Sequence, residues 1–398
     1  MTDRSLRFPD EEREQAPSAP LTEAADALQD PTSRRAFLRR ASALTLAVPG
    51  LGAALTACSP QEKQTTPANA HPQNTGAARH DSALVRNPDS KLDTALHHGA
   101  PHAATTSTNA PAPRNPRSTP LLRVDPTLPP LATSHSLDLH FHAREAPIRI
   151  SNDIVVAGWT FEGNIPGPII HCRVGDDVTF TLTNESVIPH SMDFHAAQIN
   201  PKVAFRSVIK GGSVSYAFKP RYVGAFLYHC GTAPVLMHLG SGMFGAIIVS
   251  PRHPLPPARE FVLIQSEFYL GAPLNGVYPF DYHKMLSAPP DIVAFNGRPD
   301  QYSREPIRVK VGERVRFWVV TAGPTLPCAF HIVGEQFDTV YIGSPPTQHI
   351  RGIQTWNVPP GGGMCFELTC DVPGEFPFVN HAFGHGQKGA IGYLVVEA

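Results

Sequence analysis

Arg173-Val174-Gly175-Asp176-Asp177-Val178-Thr179-Phe180 recurs further along the chain as Lys310-Val311-Gly312-Glu313-Arg314-Val315-Arg316-Phe317. Each copy carries a basic residue, a Val-Gly-acid turn and then alternating apolar positions, the pattern of a tight turn feeding a half-buried strand. Further pairs keep the same order. Phe194-His195 returns as Phe330-His331, and Gly224-Ala225-Phe226 as Gly374-Glu375-Phe376. Working outward, short alternating runs broken by Gly, Pro, Asn and Asp continue from near Leu137 to the C-terminus, and helical periodicity is scarce. That is the pattern of an all-β protein built as Greek-key sandwiches. The repeat predicts two tandem domains, residues 134–253 and 258–398, joined where Pro254, Pro256 and Pro257 stiffen the chain.

The chemistry concentrates in the first copy. In Phe226-Leu227-Tyr228-His229-Cys230, strand geometry sends Phe226, Tyr228 and Cys230 to one face and Leu227 and His229 to the other. Two metal-ligating residues therefore stand back to back. Cys230, His238 and Met243 follow one another in the order expected of a thiolate, an imidazole and a weak axial thioether, and His190 supplies a second imidazole from upstream. That is the ligand set of a blue-copper electron-transfer site. In Pro189-His190-Ser191-Met192-Asp193-Phe194-His195 the same parity puts His190 on one face and Asp193 with His195 on the other. The residues predict two metal centres on opposite sides of one sheet, connected through His229-Cys230. The second copy has Asn380-His381-Ala382 in the corresponding region and no Cys-loop-His-Met run after it, so one blue site per chain is expected.

With these residues in view, the chain from about Leu137 onward resembles the copper-containing nitrite reductases. The resemblance implies two tandem Greek-key cupredoxin β-sandwich domains holding two coppers per chain. It implies type 1 copper on His190, Cys230, His238 and Met243, type 2 copper on His195, His229 and His381, and Asp193 with His331 as the catalytic pair. Thr355 matches a residue that orients that histidine. It also implies nitrite as substrate, a small cytochrome or cupredoxin as electron donor, and a homotrimer with type 2 sites at its interfaces. Val333, the Gln198 to Arg206 loop, and the segment His381 to Lys388 with its additional His385 depart from the family pattern.

Two other functions compete. A laccase-like multicopper oxidase needs several His-x-His pairs for its trinuclear centre. The pair His140 and His142 stands on an opening strand away from the other ligands, where it reads as one face of an edge strand. A lipid-anchored blue-copper carrier would keep the first site and lose the second. Nucleic acid is not an expected partner, because the formal net charge of −1 offers no basic field.

The N-terminal third has a different character. Ser33-Arg34-Arg35-Ala36-Phe37-Leu38 resembles a twin-arginine export signal, and Leu55-Thr56-Ala57-Cys58 a lipoprotein cleavage site. Residues 1–57 then form a leader, with lipid on Cys58 as the only membrane attachment and the periplasm or cell surface as the location. Residues 58–133 are rich in Pro, Ala, Ser, Thr and His and read as a flexible linker, with solvated histidines at 71, 80, 97, 98 and 102. Cys172, Cys328, Cys365 and Cys370 fit no zinc spacing and are expected as small buried thiols.

Overall fold

The computed structural model describes residues 118–342 and 347–398. The leader, Cys58 and most of the linker lie outside the described residues. Among the described residues twenty strands form four sheets, and the helices between them run only four to six residues. Among the described residues no helix is long and apolar enough to cross a membrane.

The first half contains β1 (Ser136–Arg149), β2 (Val155–Phe161), β3 (Ile170–Arg173), β4 (Asp177–Asn184), β5 (Asp193–Phe194), β6 (Ser213–Phe218), β7 (Gly224–His229) and β8 (Phe244–Ser250). The second contains β9 (Arg259–Phe268), β10 (Val277–Tyr278), β11 (Ile292–Phe295), β12 (Ile307–Lys310), β13 (Arg314–Gly323) and β14 (Cys328–Ile332). It continues with β15 (Thr339–Tyr341), β16 (His349–Ile350), β17 (Thr355–Val358), β18 (Gly363–Thr369), β19 (Gly374–Asn380) and β20 (Ile391–Glu397).

One sheet of the first half, extended by β10 from the second, runs β10-β2-β1-β4-β6, and its mate runs β3-β8-β7-β5. In the second half the orders are β11-β9-β13-β18-β15-β16 and β12-β20-β19-β14-β17. The halves share their wiring: β1 pairs parallel with β4 as β9 does with β13, and β3 parallel with β8 as β12 does with β20. The repeated octapeptides occupy equivalent turns. Gly175 and Gly312 hold φ of 80° and 78°, a left-handed conformation that glycine reaches without steric cost. Beyond each glycine an acid accepts from the backbone three residues back: Asp176 Oδ2 from Arg173 N and Glu313 Oε2 from Lys310 N, both at 2.8 Å.

Among the described residues there are three apolar clusters, one inside each half and one between them. Phe261, Leu263, Phe317 and Val319 face the second half's own core. Their neighbours Val262, Ile264, Trp318 and Val320 face the seam, where they meet Ile148, Leu227, Phe244 and Ala246. The strand β7 is therefore covered on both sides. Leu227 belongs to the seam, while Tyr228 and Cys230 belong to the first half's core. Burying a side chain such as Leu227 contributes roughly 1.5–3 kcal/mol, so a one-residue register slip here is strongly resisted.

Two expectations need correction. The strand bearing His140 and His142 is interior rather than an edge, since β1 pairs with β2 on one side and β4 on the other. Ser118 to Pro130, assigned to the flexible linker on composition, is packed on the molecule. Val124 exchanges hydrogen bonds with the Gln301 side chain at 3.0 and 2.7 Å, and Arg298 Nε donates to Leu122 O at 3.1 Å. Pro126 O and Leu128 N join the end of β9. Composition misses this docking because the bonds use the strap's backbone, which any residue type provides.

Candidate metal centres

Cys230 emerges as β7 ends at His229. The chain then turns through Gly231 to Pro234 into the short helix Val235–Gly240, which carries His238 back beside the thiol, and reaches Met243 before β8 begins. Backbone bonds close this loop: Cys230 N donates to Met243 O at 3.1 Å, and Met243 N to His238 O at 3.2 Å. His190 arrives from the segment before β5, pinned by reciprocal backbone bonds with Val208. The Cys230 Sγ lies 3.3 Å from His238 Nδ1 and 3.8 Å from His190 Nδ1, and the two nitrogens are 3.1 Å apart. Met243 is fully buried alongside.

Burial sets the charge state of this cluster. It pushes His190 down to about 3, with the neighbouring His238 adding to the effect, and His238 down to about 4. Both imidazoles are neutral at pH 7, as metal ligands must be. Burial raises the Cys230 thiol, opposed by hydrogen bonds from Ser191 and Thr232, including Ser191 N at 3.4 Å. The indole of Trp159 packs edge-on against His238 and His190, with ring centroids at 4.9 and 6.0 Å. A thiol and two neutral imidazoles converging in a water-excluded pocket fit a soft cation that takes the thiol's proton's place.

On the other side of β7, His195 Nε2 and His229 Nε2 face each other at 3.1 Å. Their opposite nitrogens are fixed: His195 Nδ1 donates to Gly361 O at 3.0 Å, and His229 Nδ1 to Cys230 O at 2.9 Å. Each Nε2 therefore bears a lone pair, and two lone pairs at that distance repel unless a cation lies between them. Asp193 Oδ2 stands 3.9 Å from His229 Nε2. Burial lowers His229, with the Cys230 carbonyl raising it, nearby His195 lowering it and Asp193 raising it. Among the described residues, the two groups of His, Cys and acidic side chains able to share one ion are His190-Cys230-His238 and Asp193-His195-His229.

His331 and His381 lie together on the second half, ring centroids 5.2 Å apart. Within one chain, His381 does not join the His195-His229 cluster. His331 Nδ1 donates to Gln354 O at 2.5 Å, so its anchor is the carbonyl one residue before Thr355. The departure at His385 has a local explanation: its Nδ1 accepts from Asn380 Nδ2 at 3.2 Å, inside a network with Gln265. The four remaining cysteines of this region are free and buried, as expected, and burial pushes Cys172 and Cys370 up to about 12.

Sequence reasoning missed Gly361 and Trp159. The Pro359-Pro360-Gly361-Gly362-Gly363 turn signal was visible, but its approach to His195 depends on how the halves pack. Trp159 had no local signal.

A family described as multicopper oxidase matches residues 143–254. The chain is 36% identical over 263 residues to the copper-containing nitrite reductase of Neisseria meningitidis serogroup A, a match covering 64% of this chain and 67% of that protein. To the copper-containing nitrite reductase of Cereibacter sphaeroides it is 30% identical over 323 residues, covering 70% of this chain and 83% of that one. A solved copper nitrite reductase from Nitrosomonas europaea superposes with a TM-score of 0.62 at 33% identity, covering 66% of this chain and 94% of that one. Two donor clusters set back to back on a single strand, in a chain so related along most of that solved enzyme, make this protein a member of the copper-containing nitrite reductase family.

Proposed function

We propose that the chain reduces nitrite to nitric oxide, NO2⁻ + 2H⁺ + e⁻ giving NO + H2O. The observation that carries this reading is the pair His229-Cys230. Cys230 Sγ belongs to the buried cluster, His229 Nε2 to the more open one, and His229 Nδ1 is bonded to the Cys230 carbonyl at 2.9 Å. Type 1 copper takes His190, Cys230, His238 and Met243. Type 2 copper takes His195 and His229, completed by His381 from a neighbouring copy in a homotrimer. When bound, copper supplies one-electron transfer at the first site and Lewis acidity toward a small anion at the second.

The chain's own residues supply the protons. Asp193 shares the face of His195 and His229 and is partly open to solvent, so it can hand a proton to a bound anion directly or through water. His331 is held by Gln354 through Nδ1, leaving Nε2 to deliver the second proton across the interface. We assign residues 134–253 and 258–398 to two Greek-key cupredoxin domains, residues 1–57 to a twin-arginine leader, and residues 58–133 to a linker whose last part docks as a strap. The mature protein is held at the periplasmic or cell-surface side by lipid on Cys58 and receives electrons from a small cytochrome or cupredoxin.

The match to a multicopper oxidase family keeps a second reading open, an oxidase with a trinuclear centre. Copper quantitation with steady-state nitrite turnover separates the readings. Two coppers per chain and nitric oxide release are expected. Four coppers with oxygen consumption support the oxidase, and one copper without turnover supports an electron carrier.

A further inference from the structure

His190 is tied to a half-buried carboxylate through one intervening hydroxyl. Its Nε2 lies 3.0 Å from Ser186 Oγ, and Ser186 Oγ lies 2.5 Å from Glu145 Oε1. The same oxygen receives Ile188 N at 3.1 Å. A serine hydroxyl offers one proton and two lone pairs. An ionised carboxylate only accepts, so the proton goes to Glu145. A backbone N–H only donates, so Ile188 takes one lone pair, and the other is left for His190 Nε2–H. The inventory closes with a single arrangement, in which Nε2 carries the proton and Nδ1 turns its lone pair toward Cys230 Sγ.

This arrangement is more than loop architecture. Asn184, fully buried, already shapes the turn: its Nδ2 donates to Ile188 O at 2.8 Å and Val208 O at 2.7 Å, and its Oδ1 accepts from Ser186 N at 2.8 Å. The bond from Ser186 to Glu145 is additional, and it brings a negative charge to within one hydroxyl of the imidazole. Glu145 is positioned by β1, where it pairs in register with Trp159, the residue whose ring covers both histidines.

We propose that Ser186 and Glu145 are positioning residues that fix the tautomer of His190 and lower the reduction potential of the ion it helps to hold. A carboxylate acting on a ligating histidine through its far nitrogen raises ligand basicity, and electron donation favours the oxidised metal. The proposal rests on the copper reading, deepening it at the buried site.

The test uses the full chain loaded with Cu(II), followed by visible spectrum, midpoint potential and copper affinity from chelator competition. In Ser186→Ala, affinity at the buried site should fall about 10- to 100-fold, and Ser186→Thr, which keeps the hydroxyl, should restore it. Glu145→Gln keeps an acceptor for Ser186 but removes the charge. It should raise the potential by the equivalent of roughly a tenfold shift toward the reduced ion, about 59 mV for one electron. Should Ser186→Ala fail to fold, Glu145→Gln decides. A strong thiolate band in every variant with wild-type affinity and potential overturns the positioning role and leaves the copper reading standing. No thiolate band in the wild type overturns both.

Discussion

At the residue scale, each half of the pair His229-Cys230 serves a different metal cluster. Truncating one should therefore spare the other. In His229→Ala we expect the copper content to fall from two to one per chain while the thiolate absorption of the buried site persists. Loss of the visible band with the second copper retained would show that the two faces of β7 are assigned the wrong way round. Asp193 tests the proton supply in the same local way, because Asp193→Asn keeps shape and removes a titratable carboxylate. Nitrite turnover should drop by roughly 10²- to 10⁴-fold with both coppers bound, and unchanged rates across pH would remove Asp193 from the mechanism.

At the scale of elements, the more open site is shaped by how β7 packs against the turn before β18. A Cβ added at Gly363 would stand 2.2 Å from Ala225 O, a backbone atom that cannot swing away. The turn carries the Gly361 carbonyl that orients His195. Gly363→Ala should cost about 1–3 kcal/mol of stability, as overpacking does, and should lower type 2 occupancy. An unaltered denaturation midpoint would mean that the seam yields more easily than its contacts imply.

The loop leading into β14, which bears His331, hangs on Glu267. This buried carboxyl accepts from Tyr269 Oη at 2.5 Å and from Leu326 N at 2.6 Å. Burial raises it above 4.5 despite the donors from Tyr269, Leu326 and Thr325. The folded state then holds this proton more tightly than the unfolded chain. Its contribution to stability is full below 4.5 and is lost as pH rises through the folded value. Denaturant midpoints at pH 4.5 and pH 8 should show Glu267→Gln gaining on the wild type at the higher pH. A gap between the two proteins that does not change with pH would contradict the assignment.

At the scale of the whole molecule, His381 stays apart from His195 and His229 within one chain, and the proposed type 2 site takes its third imidazole from another copy. Head-to-tail contacts that close into a ring put one such junction at every interface. Mixed oligomers formed from His195→Ala and His381→Ala chains, each inactive alone, should recover part of the nitrite turnover. In some of their interfaces an intact first domain meets an intact second domain. With mixed trimers verified by mass, no recovery would rule out a site shared between chains.

The sequence alone determined what local rules encode. The octapeptide repeat carried the recurrence of one turn and the strand after it, because turn chemistry and strand alternation are read within a few residues. The parity of His229 and Cys230 carried their division between two faces, because a strand's side chains alternate whatever surrounds it. Ligand types carried the metal class. Tertiary structure alone decided which group holds each histidine: the Gly361 carbonyl for His195, the Gln354 carbonyl for His331, and the Ser186 hydroxyl backed by Glu145 for His190. It also placed Trp159 over the buried cluster and docked the strap from Ser118 to Pro130. Apart from Ser186 with His190, those contacts join residues far apart in the chain, often through backbone atoms that every amino acid shares, and such atoms leave no mark in the residue pattern.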